Sequence, residues 1–268
     1  MVSAAGHSVT LSTSETIQTD AIVFCTGWEP ALPPLFANPL ANEVGMSIAP
    51  TSIPAIERRY WEALDTAAEK QILEDYPVLR NPPSNIHIPR MDKSPFRHFR
   101  AVVPPKLAAR GDNSLVFLGH YATGRIQTTA EIYSLWAVAY LEGLMPPSTK
   151  AILSDEEAMH KDIAHIEAYR KKRYLNGLSP YRLSIIETPE FDDLMLEDLG
   201  VRPDRKAMKI PTGWRGWFGF KGKFAEWFDS YFPDDFKGII EEFLENVEKR
   251  GGRSKIIDER TPLVNGTK

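Results

Sequence analysis

The stretch Asp20–Pro30, reading DAIVFCTGWEP, limits the architecture more than any other part of the sequence. Ala21 to Phe24 form a short apolar run rich in strand-forming residues, and it stops at Thr26-Gly27 before an aromatic, an acid and a proline. A strand that ends in a small residue, Thr and Gly brings backbone close to whatever lies beyond its carboxyl end. In open α/β sheets that end is where cofactors bind. Little precedes the run, so the expectation is a chain that enters a nucleotide-binding architecture part-way through.

Composition narrows the class. The 268 residues can bury a substantial core, and 43% hydrophobic with 25% charged residues is ordinary for a globular domain. A net charge of −4 gives no basic stripe of the kind nucleic acid requires. The single cysteine, Cys25, excludes an internal disulfide and a cysteine-based metal cluster, and points to a reducing, cytoplasmic setting. No run reaches the ~18 apolar residues of a membrane span.

Periodicity predicts a hairpin over residues 8–26 and a helix over about 53–75 with Ile56, Tyr60, Ala63, Leu64 and Ala67 on its buried face. Asn113 to His120, NSLVFLGH, reads as a second short strand buried in a parallel sheet. A glycine-bearing turn then leads to a helix over 128–144. Thr128 and Glu131 read as its capping box, with Ile132, Leu135, Trp136, Ala139 and Tyr140 facing inward. Pro146-Pro147 reads as its stop. Ser154 with Glu157 suggests a capped helix to about 175, Thr188-Pro189 opens a short acidic helix ended by Gly200, and a last helix spans about 233–249.

The turn HYATGRIQTTAE joins a strand end to a helix N-terminus, whose unsatisfied N–H groups and positive dipole end can receive a carbonyl or anionic oxygen. Gly119 and Gly124 leave room for a ligand, and Gln127, Thr128 and Thr129 offer donors and acceptors. A flavin ring suits this arrangement, since its N1 and C2 carbonyl become electron-rich on reduction. These residues alone would equally describe an ordinary capped β–turn–helix.

Taken together and in order, DAIVFCTGWEP and NSLVFLGHYATGRIQTTAEIYSLWAVAYLEGL resemble the C-terminal half of the flavin-containing monooxygenase family. Cys25-Thr26-Gly27-Trp28 matches the family's Ala-Thr-Gly-Tyr, and Leu118-Gly119, Gly124, Thr129-Ala130-Glu131 and Trp136 match its second segment. Val103-Pro104-Pro105-Lys106 and the Phe191–Pro203 stretch extend the likeness to roughly residues 8–205.

The resemblance implies an α/β fold, the C-terminal part of a Rossmann-like flavoprotein with two dinucleotide-binding domains. Residues 1–50 would end the NADP-binding domain and cross back, 51–150 would complete the FAD-binding domain, and 151–268 would form a helical extension. It implies FAD and NADPH as cofactors, with Cys25, Thr26, Gly27, Trp28, Gly119, His120, Gly124, Gln127, Thr128 and Thr129 lining the cofactor site. The reaction implied is oxygenation of a small molecule, at nitrogen or sulfur; the Baeyer–Villiger signature F-x-G-x-x-x-H does not occur in the sequence. No residue maps to a catalytic acid or base.

The glycine fingerprints that would hold the two diphosphates are missing, because no two glycines stand at i and i+2. The expectation is therefore a C-terminal portion, inactive or weak by itself, with upstream coding sequence carrying the fingerprints. The competing class is a non-enzymatic interaction module or incomplete gene product. His160 and His165, five apart on a helix, are off the spacing that presents two metal ligands together. The run 170–173, RKKR, reads as a solvated helix end, and the aromatic stretch Gly213–Phe232 as a packed face before a membrane-surface element. The sequence fixes neither the substrate nor the oligomeric state.

Overall fold

The computed structural model describes residues 3–5, 8–10, 13–18, 36, 38–82, 93–119, 121–122, 126–174, 183–185, 188–208 and 230–251. The chain forms two compact units, residues 1–32 and 33–268. In the first, β1 (Ser3–Ala5), β2 (Ser8–Thr10) and β3 (Thr16–Gln18) make an antiparallel meander in which Val9 faces Ile17. The predicted hairpin is therefore present, and Ser14 takes a left-handed φ of 69° at its turn. The expected strand over 21–24 lies outside the described residues.

The second unit is mostly helical. It comprises α1 (Asn38–Glu43), α2 (Ala55–Asp75), α3 (Pro105–Ala109), α4 (Ile126–Leu141), α5 (Pro147–Leu153), α6 (Glu156–Arg173), α7 (Thr188–Leu199), α8 (Arg205–Met208) and α9 (Ile239–Lys249), with β4 (Tyr121–Ala122) paired in parallel to β5 (Leu183–Ile185). The strand expected over 113–120 is not formed among its described residues. Its start is taken by a turn in which Asp112 Oδ1 accepts from the Ser114 N–H, and Leu118 is 47% exposed. Among the described residues only the Phe117 N–H of this run meets a backbone acceptor, Val102 O at 2.8 Å.

α4 runs through the middle of the core. Ile132, Trp136, Ala139 and Tyr140 are buried, as their helical spacing predicts; Tyr133 is buried with them, and Leu135 is only half-buried. They join Trp61 of α2, Met159 and Ile163 of α6, Phe191 to Leu199 of α7 and Phe243 of α9 in one apolar cluster. Burying five such side chains contributes roughly 1.5–3 kcal/mol each before the entropy of ordering them.

α2 presents a different face from the expected one. Trp61, Ala68 and Ile72 are buried, while Ile56 is 82% exposed and Tyr60 lies at the surface. The helix is only weakly amphipathic, and contact with α6 selects the Trp61–Ile72 side. Helix starts also differ. Asp155 caps α6 by accepting from the Ala158 N–H at 3.0 Å, whereas Ser154 returns its hydroxyl to Lys150 O at the end of α5. α4 ends at Leu141, ahead of the Pro146-Pro147 expected to stop it, and Pro147 at the first helical position also opens α5, a helix the sequence reading did not include. The RKKR run is only partly solvated: Arg170 is buried against Glu167, and Lys172 pairs with Glu69 of α2. Most of the aromatic stretch lies outside the described residues; within it Tyr231 is half-buried and Phe232 exposed.

Candidate functional site

At the head of α4, the structure assembles part of the turn expected to meet a ligand. Gly119 has a φ of 82°, and among the described residues nothing lies within 4 Å of where a Cβ would sit. Glycine is needed here for its left-handed backbone. β4, paired to β5, carries the chain toward Ile126, where α4 begins. Its first turn leaves N–H groups without helical partners, and Gln127 stands exposed among them.

Thr128 and Thr129 are placed differently from Gln127. Both are buried, and Thr129 Oγ1 donates to Asp192 Oδ2 of α7 at 3.3 Å. The helix starts at Ile126, so these residues sit within its first turn and do not form the cap that T-x-x-E suggested; Glu131 is exposed. Their side chains serve the packing of α4 on α7. Cys25, Thr26, Gly27, Trp28, His120 and Gly124 lie outside the described residues.

Behind this helix lies a buried charge network that no sequence motif announces. Arg100 and Ala101 both adopt left-handed φ, 52° and 57°, in a tight loop closed by the Phe99–Val103 bridge. The loop drives the Arg100 guanidinium inward over the Phe99 ring at 4.4 Å. Its Nε donates to Asp198 Oδ2 at 2.7 Å, and its Nη1 donates to both oxygens of Asp162 at 2.8 and 2.9 Å. Trp136 Nε1 of α4 donates to the same Asp198 oxygen at 3.1 Å, and Thr149 Oγ1 of α5 donates to Asp198 O at 2.6 Å. Burial by itself would lower the arginine's pKa, but Asp162 and Asp198 outweigh it and hold the group above its ordinary value. Burial likewise pushes Asp162 up, against the pull of Arg100. Arg100 thus joins α6 to α7, and Asp198 extends the link to α4 and α5.

A separate cleft of about 210 Å³ opens between α1, α2 and the residues 94–106. Trp61 is sandwiched there, with the Arg97 guanidinium 4.1 Å from its ring and the His160 ring 4.5 Å away. Arg97 forks onto Asp65 and Lys106 onto Glu57, so both cations are already matched by carboxylates. His160 Nδ1 lies 3.1 Å from the Tyr60 hydroxyl, and its pKa falls to about 4 through burial, then through Lys106 and Arg97. Burial, reinforced by Glu157 and Glu156, raises the Tyr60 pKa. Among the described residues that line it, none is poised as an anion hole or a nucleophile.

Comparison with known proteins identifies relatives of the chain. An FAD-dependent monooxygenase of Alternaria brassicicola is 31% identical over 260 residues, 92% of this chain and 40% of the relative. One from Fusarium langsethiae is 30% identical over 87% of this chain and 36% of its own length, and one from Aspergillus sclerotiorum is 28% identical over 89% and 38%. This chain is a homologue of the FAD-dependent monooxygenases. It spans well under half the length of the curated relatives it matches. No family model matches the chain, and no solved structure matches it.

For an FAD-dependent monooxygenase homologue, the described residues fit one part of the cofactor and not another. The left-handed backbone at Gly119 and the exposed Gln127 in the first turn of α4 suit the polar edge of an isoalloxazine ring. The diphosphate needs closely spaced glycines, and the sequence has none at i and i+2. Gly45 shows the contrast: its missing Cβ would fall 2.7 Å from Arg97 O, so protein backbone and not a ligand uses that space.

Proposed function

We propose that this chain is the flavin-edge portion of an FAD- and NADPH-dependent monooxygenase that oxygenates nitrogen or sulfur in a small organic substrate. The observation that carries the reading is the left-handed Gly119 ahead of the exposed Gln127 in the first turn of α4, in a homologue of named FAD-dependent monooxygenases. Gly119 admits the ring edge, Gln127 donates to or accepts from its carbonyls, and the α4 amides stabilise negative charge that builds there. Arg100 and Asp198 keep those amides aimed by locking Trp136 from below. Bound FAD supplies the oxygen-activating chemistry, and the protein's share is to orient the ring and exclude water. The diphosphate grip lies outside this sequence, which supports a chain inactive by itself.

Flavin titration tests this. The chain alone binds FAD no more tightly than riboflavin, because it holds only the ring that the two share. Joined to the portion of the Alternaria brassicicola relative that it does not match, it develops absorbance at about 450 nm. Gly119→Val abolishes that absorbance and Gln127→Leu weakens it. A chain that purifies alone with stoichiometric FAD overturns the partial-site reading, and a Gly119→Val fusion that still holds flavin overturns the placement.

A further inference from the structure

A pocket of about 420 Å³ lies between the end of α2, the second half of α6 and the start of α7. The helical repeat builds it: His165, Ile166 and Tyr169 share one face of α6, and Glu190, Phe191 and Leu194 share one face of α7. Ile72 closes it from α2, and Tyr76 and Tyr174 follow the last residues of α2 and α6. The Tyr76 and Tyr169 rings stand with centroids 5.3 Å apart at 57°, so they meet as two tilted walls. Phe191 also stacks on Tyr133 of α4, with centroids 5.6 Å apart. A volume in the range of small-molecule sites, an apolar and aromatic lining and a place between packed helices are the usual marks of a ligand pocket.

Its polar groups divide sharply. Arg170 is buried and already bound by Glu167. The His165 ring, the Tyr76 hydroxyl and the Glu190 carboxylate, by contrast, make no hydrogen bond to another described residue. His165 is half-buried among these rings, where an imidazole loses water and gains no protein partner in return. We infer that this pocket binds a planar aromatic molecule that carries a hydroxyl or N–H donor. Flat rings at the walls favour a flat occupant, offset or edge-on to each. Glu190 can only accept hydrogen bonds, and an imidazole accepts at the nitrogen that lacks its proton, so the occupant must donate. An aromatic carboxylate is excluded, because it meets Glu190 while the charge of Arg170 is taken. The site stands whether or not α4 meets a flavin.

The test is calorimetric titration of the 268-residue chain with two matched pairs, 2-naphthol against 2-methoxynaphthalene and indole against 1-methylindole. Each pair keeps the rings and removes the donor. At least one donor binds once per chain, and about tenfold more tightly than its methylated partner; the pair with the larger ratio tells hydroxyl from N–H. 2-Naphthoate does not bind. Glu190→Gln melts as the wild type does, because the side chain is exposed, yet it weakens the donor about tenfold and lets 2-naphthoate in. Tyr76→Ala, also at an exposed position, weakens donor and methylated partner alike. Equal affinities within both pairs overturn the inference, since they mean partition into an apolar gap. So does the absence of binding by both 2-naphthol and indole up to about 1 mM. Donor binding that Glu190→Gln and Tyr76→Ala leave unchanged overturns it as well, by placing the molecule elsewhere.

Discussion

Arg97 and Arg100 stand three residues apart on one loop, and each forks onto carboxylate. Arg97 lies across Trp61 at the wall of a cleft and answers to the half-exposed Asp65. Arg100 is turned the other way by two left-handed residues and is buried between two acids from different helices. The same chemistry therefore does two jobs. At the cleft, water shares the charge, and the pair trims the local geometry. In the interior nothing but Asp162, Asp198 and the Phe99 face can answer the guanidinium, so the helices must meet around it. Depth, and not the type of contact, decides whether an ion pair shapes the fold.

Four experiments can break or sharpen that contrast. Arg100→Leu leaves two carboxylates buried without a cation and costs about 3–5 kcal/mol, read from urea unfolding of the full chain. Arg100→Lys does not recover it, because one ammonium cannot fork onto both acids. A loss under 1 kcal/mol for Arg100→Leu would mean that solvent reaches the site. Asp198→Asn keeps the shape but weakens the bonds from Arg100 and Trp136, at about 2 kcal/mol.

The cleft should respond to pH. His160 stays neutral in the folded protein down to about pH 4, while the unfolded chain takes up its proton near 6.5. Its contribution is complete above pH 6.5 and is lost as pH falls toward 4, about 1–2 kcal/mol once solvent at its edge is allowed for. Stability curves of the wild type and His160→Gln should converge over that window, and parallel curves would exclude the effect. Arg97→Ala is the mildest change, about 1 kcal/mol from the lost ring contact and exposed fork. If it matches Arg100→Leu, the contrast fails.

Local periodicity made α4 legible down to its inward residues, because Ile132, Trp136, Ala139 and Tyr140 repeat at helical spacing beside large apolar neighbours. The same rule misplaced the buried face of α2, where charged residues surround every candidate stripe and Trp61 is chosen by Arg97 and His160 from distant segments. Cap signals located helices to within two residues but chose the wrong oxygen when Ser154 and Asp155 stood side by side. Gly119 was legible as a turn glycine. The fate of Thr128 and Thr129 was not, since it depends on Asp192, 63 residues from Thr129. The Arg100 network had no sequence signal: its acids lie 62 and 98 residues away, and the loop that aims it needs neither glycine nor asparagine.

The hub at Asp198 also governs how the molecule can be cut. A fragment ending before residue 188 removes the Asp198 partner of Arg100, Trp136 and Thr149 at once and leaves Arg100 only Asp162, so shortened versions meant to isolate the flavin edge would loosen the helix that carries it. Chimeras with longer relatives should keep residues 94–201 as a single cassette and place their junctions outside it.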